Sequence, residues 1–220
     1  MSVRVYRAEV QKPNHKMHIF AIAMKQVFHK IVQEKNQIYV WKVTSVLNDL
    51  CKNPSLSARE LEEVNTLKSE KRKTEFLACR IALKDLFNNS LELKHYESGK
   101  PYIKEANHIS ISHSKDYIAI AFGEENIGID IEQPHAKMLK LIPRILSESE
   151  LKQFQQSPTI GHACKMWGTK ESVLKYIGDK NLNYRDEIKI DKDSIKYLDL
   201  NFEVCFENVD EMILTYVIKV

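Results

Sequence analysis

No apolar run in this 220-residue chain approaches the ~18 residues that a membrane-spanning helix requires, so no bilayer crossing is expected. Cysteine is scarce. Cys51, Cys79, Cys164 and Cys205 stand far apart, without the CxxC spacing of a zinc or dithiol motif. Reduced thiols in a cytoplasmic protein are the simplest expectation. With six glycines and six prolines, no low-complexity linker divides the chain. The net charge of +3 falls well short of the concentrated basic footprint of a nucleic-acid binder, although it suits anionic small molecules or acidic partners. At 43% hydrophobic and 29% charged residues, the length fits one large domain or two small ones sharing an interface.

What is present centres on Ile127-Gly128-Ile129-Asp130-Ile131-Glu132. Successive strand residues face opposite sides and advance ~3.3 Å, so Asp130 and Glu132 stand on one face roughly 7 Å apart, beside Gly128. The isoleucines face a core. That spacing is too wide for two acids to share a proton but suits two oxygen ligands of one hard cation such as Mg2+. Strands with acidic outer faces are also common in purely structural roles.

Upstream, Met17–Met24 is a short apolar patch after Lys12, His15 and Lys16, too short in its core to be read as a signal peptide. The fold is expected to begin near Gln37, where Ile38–Val43 reads as a first strand, leaving residues 1–36 as an N-terminal extension. Ser57 and Glu60 form a capping box that starts a helical hairpin. Its longer arm, about Ser69 to Asn88, carries Lys73, Arg80 and Lys84 in one narrow sector between apolar stripes. These cations either snorkel to solvent or bind an anion. Ser98–Ile103 reads as a turn into an edge strand. Ile109 to Glu132 reads as a three-stranded antiparallel meander, with His113 at a strand end. Ser147 and Glu150 form a second capping box. A longer helix runs from Gly161 to a stop at Gly178, placing Trp167, Glu171, Leu174 and Lys175 on one side. Glu171 and Lys175, at i,i+4, are equally consistent with a surface ion pair. Strands follow at 187–190, 202–206 and 212–220. The order of helices then strands occurs twice, which predicts two pseudo-duplicated α+β subdomains, 37–122 and 123–220, each an antiparallel sheet packed with helices, with a site at their interface.

Gly-Ile-Asp-Ile-Glu at 128–132 and Trp-Gly-Thr-Lys-Glu-Ser-Val-Leu-Lys at 167–175 together resemble the paired signature of the 4′-phosphopantetheinyl transferases, specifically the larger, surfactin-type members. Gly99-Lys100-Pro101 and Ile111-Ser112-His113-Ser114 match supporting motifs in the right order, and the resemblance covers roughly Ile38 to Val220. It implies transfer of the phosphopantetheine arm of coenzyme A to a serine of an apo acyl or peptidyl carrier protein, releasing 3′,5′-ADP. It further implies that Asp130, Glu132 and Glu171 hold Mg2+, that Glu171 takes the serine proton and that Lys175 stabilises the leaving phosphate, with His113 as a third participant. Ser112, His113, Lys100, Lys170, Lys175 and, in looser correspondence, Lys73 and Arg80 are the implied coenzyme A contacts. A single chain with two halves would form the cleft as a monomer, without nucleic acid or membrane partners. The basic and apolar run Lys137–Arg144, just past the acids, is where the family receives its acidic carriers.

Two rival classes are a Mg2+-dependent phosphodiesterase, disfavoured by the modest charge, and a non-catalytic carrier-binding module, disfavoured because all three acids are present.

Overall fold

The computed structural model describes residues 23–87, 91–191 and 194–220. The first part of the chain runs β1 (Met24–Val32), β2 (Asn36–Val43), α1 (Leu47–Cys51), α2 (Ala58–Thr66), α3 (Glu70–Phe87), β3 (Lys94–His95), β4 (Pro101–Tyr102), β5 (His108–Ser114) and β6 (Tyr117–Gly123). The second runs β7 (Gly128–Glu132), α4 (Lys137–Ile145), α5 (Glu148–Phe154), α6 (Ile160–Ile177), α7 (Tyr184–Glu187), β8 (Ile188–Asp191), β9 (Ser194–Tyr197), β10 (Leu200–Val209) and β11 (Met212–Lys219). Two antiparallel sheets result, ordered β1-β2-β6-β5 and β7-β11-β10-β9-β8, with β3 and β4 forming a small separate pair. No helix among the described residues is long and apolar enough to cross a membrane.

The alternation of β2 explains the layering. Tyr39 and Trp41 join Leu77, Ala78 and Ile81 of α3, while Ile38 and Val40 turn the other way and meet Ile127, Ile129, Ile131 and Leu214 of the second sheet. A strand buried on both faces reads as a continuous apolar run, as this one does. The far side of the second sheet packs on α6, through Val173 against Phe202 and Val217, and through Met166 and Cys164 near Ile213. The order is therefore helix, sheet, sheet, helix.

Two expectations are corrected. The segment read as an extension contains β1 from Met24 onward, which pairs antiparallel with β2 from Met24↔Val43 to Val32↔Asn36, the register shifting once between Gln26 and Phe28. The remainder of that segment, residues 1–22, lies outside the described residues. Its hairpin turn escapes notice because Gln33 and Glu34 adopt the positive φ (50° and 59°) at which Asn and Gly are the usual signal. The expected meander is also wrong at its third strand: β5 and β6 pair, but β7 leaves and pairs with β11, Asp130 opposite Thr215. At the crossing, Gly123 lies so close to Lys35 and Asn36 that a Cβ would sit 2.1 Å from Asn36 Oδ1, and that same oxygen accepts the Glu125 amide at 3.2 Å. Finally, the basic run at 137–144 is helical, with Pro143 inside α4.

Candidate active site

Two glycines let α6 lie down on β7. A Cβ on Gly128 would stand 1.9 Å from the Ser172 carbonyl, and one on Gly168 would stand 2.5 Å from Thr215 Oγ1. Only hydrogen fits, so the helix approaches until Glu171 and Lys175 stand near the strand that carries Asp130 and Glu132. Asp130 is 3% exposed. Its Oδ1 accepts from Ser112 Oγ at 2.8 Å and from Lys175 Nζ at 2.7 Å, while its Oδ2 is buried without a partner. Glu132 Oε2 accepts from Ser114 Oγ at 2.7 Å. Lys175 thus bonds Asp130, not the Glu171 one turn away, and the surface ion-pair alternative is set aside.

The carboxyls feel one another. Burial, then the charge of Asp130, and to a lesser degree that of Glu132, push Glu171 up to about 7, with Lys175 opposing. Glu132 is raised by burial and by Asp130, against the hydrogen bond from Ser114 and the charge of Lys175. Burial lowers His113, the nearby Glu75 carboxylate opposing and the Arg72 and Lys175 charges reinforcing. His113 Nδ1 lies 3.3 Å from Glu75 Oε1, a buried carboxylate of α3 that also pairs with Arg72 at 3.3 Å. Between β5, the turn before β4 and the end of α6 lies a cavity of about 270 Å³, bordered by Gly99, Lys100, Ile111, Leu174, Lys175 and Gly178.

Other expected coenzyme A contacts go elsewhere. Lys170 is 1% exposed; its ammonium bonds both Glu150 oxygens at 2.9 Å and the Tyr184 and Ile188 carbonyls at 3.1 and 2.6 Å, so it is corrected to a structural cation. Arg80 is likewise corrected. Its guanidinium stacks 4.3 Å over Phe76 and faces Glu60 and Glu63 at 3.9 and 4.0 Å, so the buried charge finds its anions inside the fold. Lys84 pairs with the same Glu60. Lys73 borders a separate cavity with Lys68 and Glu70. Lys100 does reach the cavity wall, but its ammonium bonds the Tyr176 carbonyl at 2.7 Å and Asn126 at 3.2 Å, capping the end of α6. Ser112 is engaged within the fold: its hydroxyl donates to Asp130, and its oxygen accepts from the Ile131 amide at 3.2 Å and Lys175 at 2.9 Å. Sequence reasoning missed Glu75 and the pairing of Glu150 with Lys170; for Glu150 the capping box was visible and the buried cation was not.

Among the described residues, no three His, Cys, Asp or Glu side chains form a ready-made metal cage. The donor chemistry nevertheless fits Mg2+: oxygen ligands only, with the buried, partnerless Asp130 Oδ2 near two further carboxyls that burial and the charge of Asp130 raise. Lys175 supplies the only cation bonded to Asp130 among the described residues.

Fold and site together define an α+β protein with an acidic cluster where one sheet meets another. The family model of the 4′-phosphopantetheinyl transferase superfamily matches residues 126–212. The chain is 40% identical over 85 residues to a holo-[acyl-carrier-protein] synthase of Lactococcus lactis, covering 30% of this chain and 71% of that protein. It is 30% identical over 94 residues to the 4′-phosphopantetheinyl transferase gsp of Aneurinibacillus migulanus, covering 41% and 40%, and 30% identical over 98 residues to Sfp of Bacillus subtilis, covering 42% and 44%. The matched region thus spans less than half of these two longer relatives. The chain belongs to the 4′-phosphopantetheinyl transferase superfamily, and its matches to gsp and Sfp support the surfactin-type group.

Proposed function

We propose that the protein transfers 4′-phosphopantetheine from coenzyme A to a serine hydroxyl of an apo acyl or peptidyl carrier protein, with Mg2+, releasing 3′,5′-ADP. The observation that carries this reading is the meeting of Asp130, Glu132, Glu171 and Lys175, from β7 and α6, beside a cleft between β5 and the end of α6. Relatives named for the same reaction support it.

Asp130, Glu132 and Glu171 would hold Mg2+, whose chemistry there is to neutralise pyrophosphate charge and polarise the phosphorus under attack. Glu171, on α6 and turned toward Asp130 and Glu132, would accept the proton of the incoming serine as its oxygen bonds phosphorus. Lys175 exchanges its bond to Asp130 for the leaving phosphate, placing positive charge where negative charge develops. His113, half-buried at the end of β5, offers a ring nitrogen to the donor's phosphates. One chain supplies both walls of the cleft, so we take the working form to be a monomer of two subdomains that change over between β6 and β7. The phosphodiesterase and non-catalytic readings gain no supporting observation.

The test is direct. The protein is incubated with coenzyme A, Mg2+ and an apo carrier protein, and the carrier's mass is measured. Gain of one phosphopantetheine, lost with Glu171→Gln, is expected; an unmodified carrier from several pathways overturns the reading.

A further inference from the structure

β5 and β7 are edge strands of different sheets, and no backbone ladder joins them. Side chains do so instead. Ser110 Oγ accepts the Ile129 amide at 3.1 Å, and Ser112 Oγ accepts the Ile131 amide at 3.2 Å. Ser112 Oγ donates to Asp130 Oδ1 at 2.8 Å, and Ser114 Oγ donates to Glu132 Oε2 at 2.7 Å. The two-residue spacing puts all three hydroxyls on one face of β5, as it puts both acids on one face of β7. The rungs change character along the strand. Ser110 meets backbone alone, Ser112 meets backbone and carboxylate, and Ser114 meets carboxylate alone.

We infer that this serine ladder positions the acidic pair, with Ser112 and Ser114 fixing the Asp130 and Glu132 carboxylates while Ser110 sets the register between the sheets. The inference rests on the reading of Asp130 and Glu132 as metal-holding residues. The hydroxyls are positioning residues that leave the metal to the acids. A carboxylate fixed through one oxygen spends no rotamer freedom when the other binds a cation, and the partnerless Asp130 Oδ2 is the oxygen so released. The first sheet therefore tunes a cation site whose ligands all lie outside it.

The experiment measures Mn2+ binding to the full chain by calorimetry and electron paramagnetic resonance, without coenzyme A or carrier, alongside thermal melts. Ser114→Ala is expected to weaken Mn2+ by about tenfold, the lower end of the 10–100-fold cost of losing an outer partner of a ligand. Ser114→Thr, which restores the hydroxyl, should bind within about twofold of wild type, and Ser114→Cys, a weak donor of similar size, should lie between. Ser110→Ala should lower the melting temperature while leaving Mn2+ affinity within about twofold, since it touches no carboxylate. Wild-type affinity in Ser114→Ala, a Thr variant as weak as Ala, or an equal loss in Ser110→Ala would each overturn the inference alone. A wild type that binds no Mn2+ would overturn the metal reading as well.

Discussion

Lys170 and Glu171 are chain neighbours with opposite fates. One helical step rotates a side chain by ~100°, which sends Lys170 between α5 and β8 and Glu171 toward the acids. Glu150 serves the first of these twice, closing the capping box of α5 through the Ser147 amide at 2.8 Å and accepting both Lys170 and the Ile190 amide. Removing the cation leaves that carboxylate buried and uncompensated. Lys170→Met should cost about 3–5 kcal/mol in denaturant melts, and the double change with Glu150→Gln should recover part of it. A stable Lys170→Met with a raised KM for coenzyme A would instead return Lys170 to the phosphates. For Glu171 the consequence is a pH dependence. Its folded pKa of about 7 exceeds the unfolded 4.5, so the native state keeps a proton that the unfolded state has released. The associated stability is present below about pH 4.5 and lost as pH rises through 7, on the order of 3 kcal/mol. His113, lowered from 6.5, runs the other way: its contribution is present above that value and lost as pH falls through its folded pKa. Glu171→Gln, measured against wild type with a chelator present, cancels the His113 part. The variant should match wild type near pH 4 and exceed it near pH 8; parallel profiles would show that Glu171 is not raised.

At the scale of elements, β1 tests how far local signals reach. It contributes Met24 and Val32 to two different cores and gives β2 a partner on its otherwise open edge. A chain beginning at Gln37 should therefore melt well below the full chain and show an exposed β2 edge by hydrogen exchange. Equal melting would show that β1 adds nothing to the cooperative unit. Elements with local chemistry were legible: both capping boxes close as expected, and α6 ends at Gly178 with φ of 77°. So was the alternation that puts Ile129 and Ile131 in the core and Asp130 and Glu132 opposite. Strand partners were not. The step from β6 to β7 looks like any tight turn in sequence, and the pairing of β7 with β11 shows that it is a crossing. Cations on α3 and α6 were misplaced for a related reason. A periodicity shows which face a lysine occupies, but not that Glu60 or Glu150, distant in sequence, waits there.

At the scale of the whole molecule, the back-to-back sheets place the acids at a seam, and α4 begins five residues beyond Glu132. The helix buries Met138, Ile142 and Ile145 and leaves Lys137, Leu139, Lys140 and Arg144 exposed, Leu139 by 36%. Under the proposed function, a surface of positive charge around an apolar residue near the acids would suit an acidic protein substrate whose approach is steered electrostatically. Its contribution should then appear in the carrier alone. Lys137→Glu with Lys140→Glu should raise the KM for carrier by roughly tenfold, equivalent to about 1.4 kcal/mol, and flatten its dependence on salt. Because neither lysine borders the cleft lined by Lys100 and Lys175, the KM for coenzyme A should stay within about twofold. The two constants are read from one set of initial rates with each substrate varied in turn. A parallel rise in both would point to a disturbed site, and no rise in either would leave α4 as an ordinary solvated helix face and move carrier recognition elsewhere on the seam.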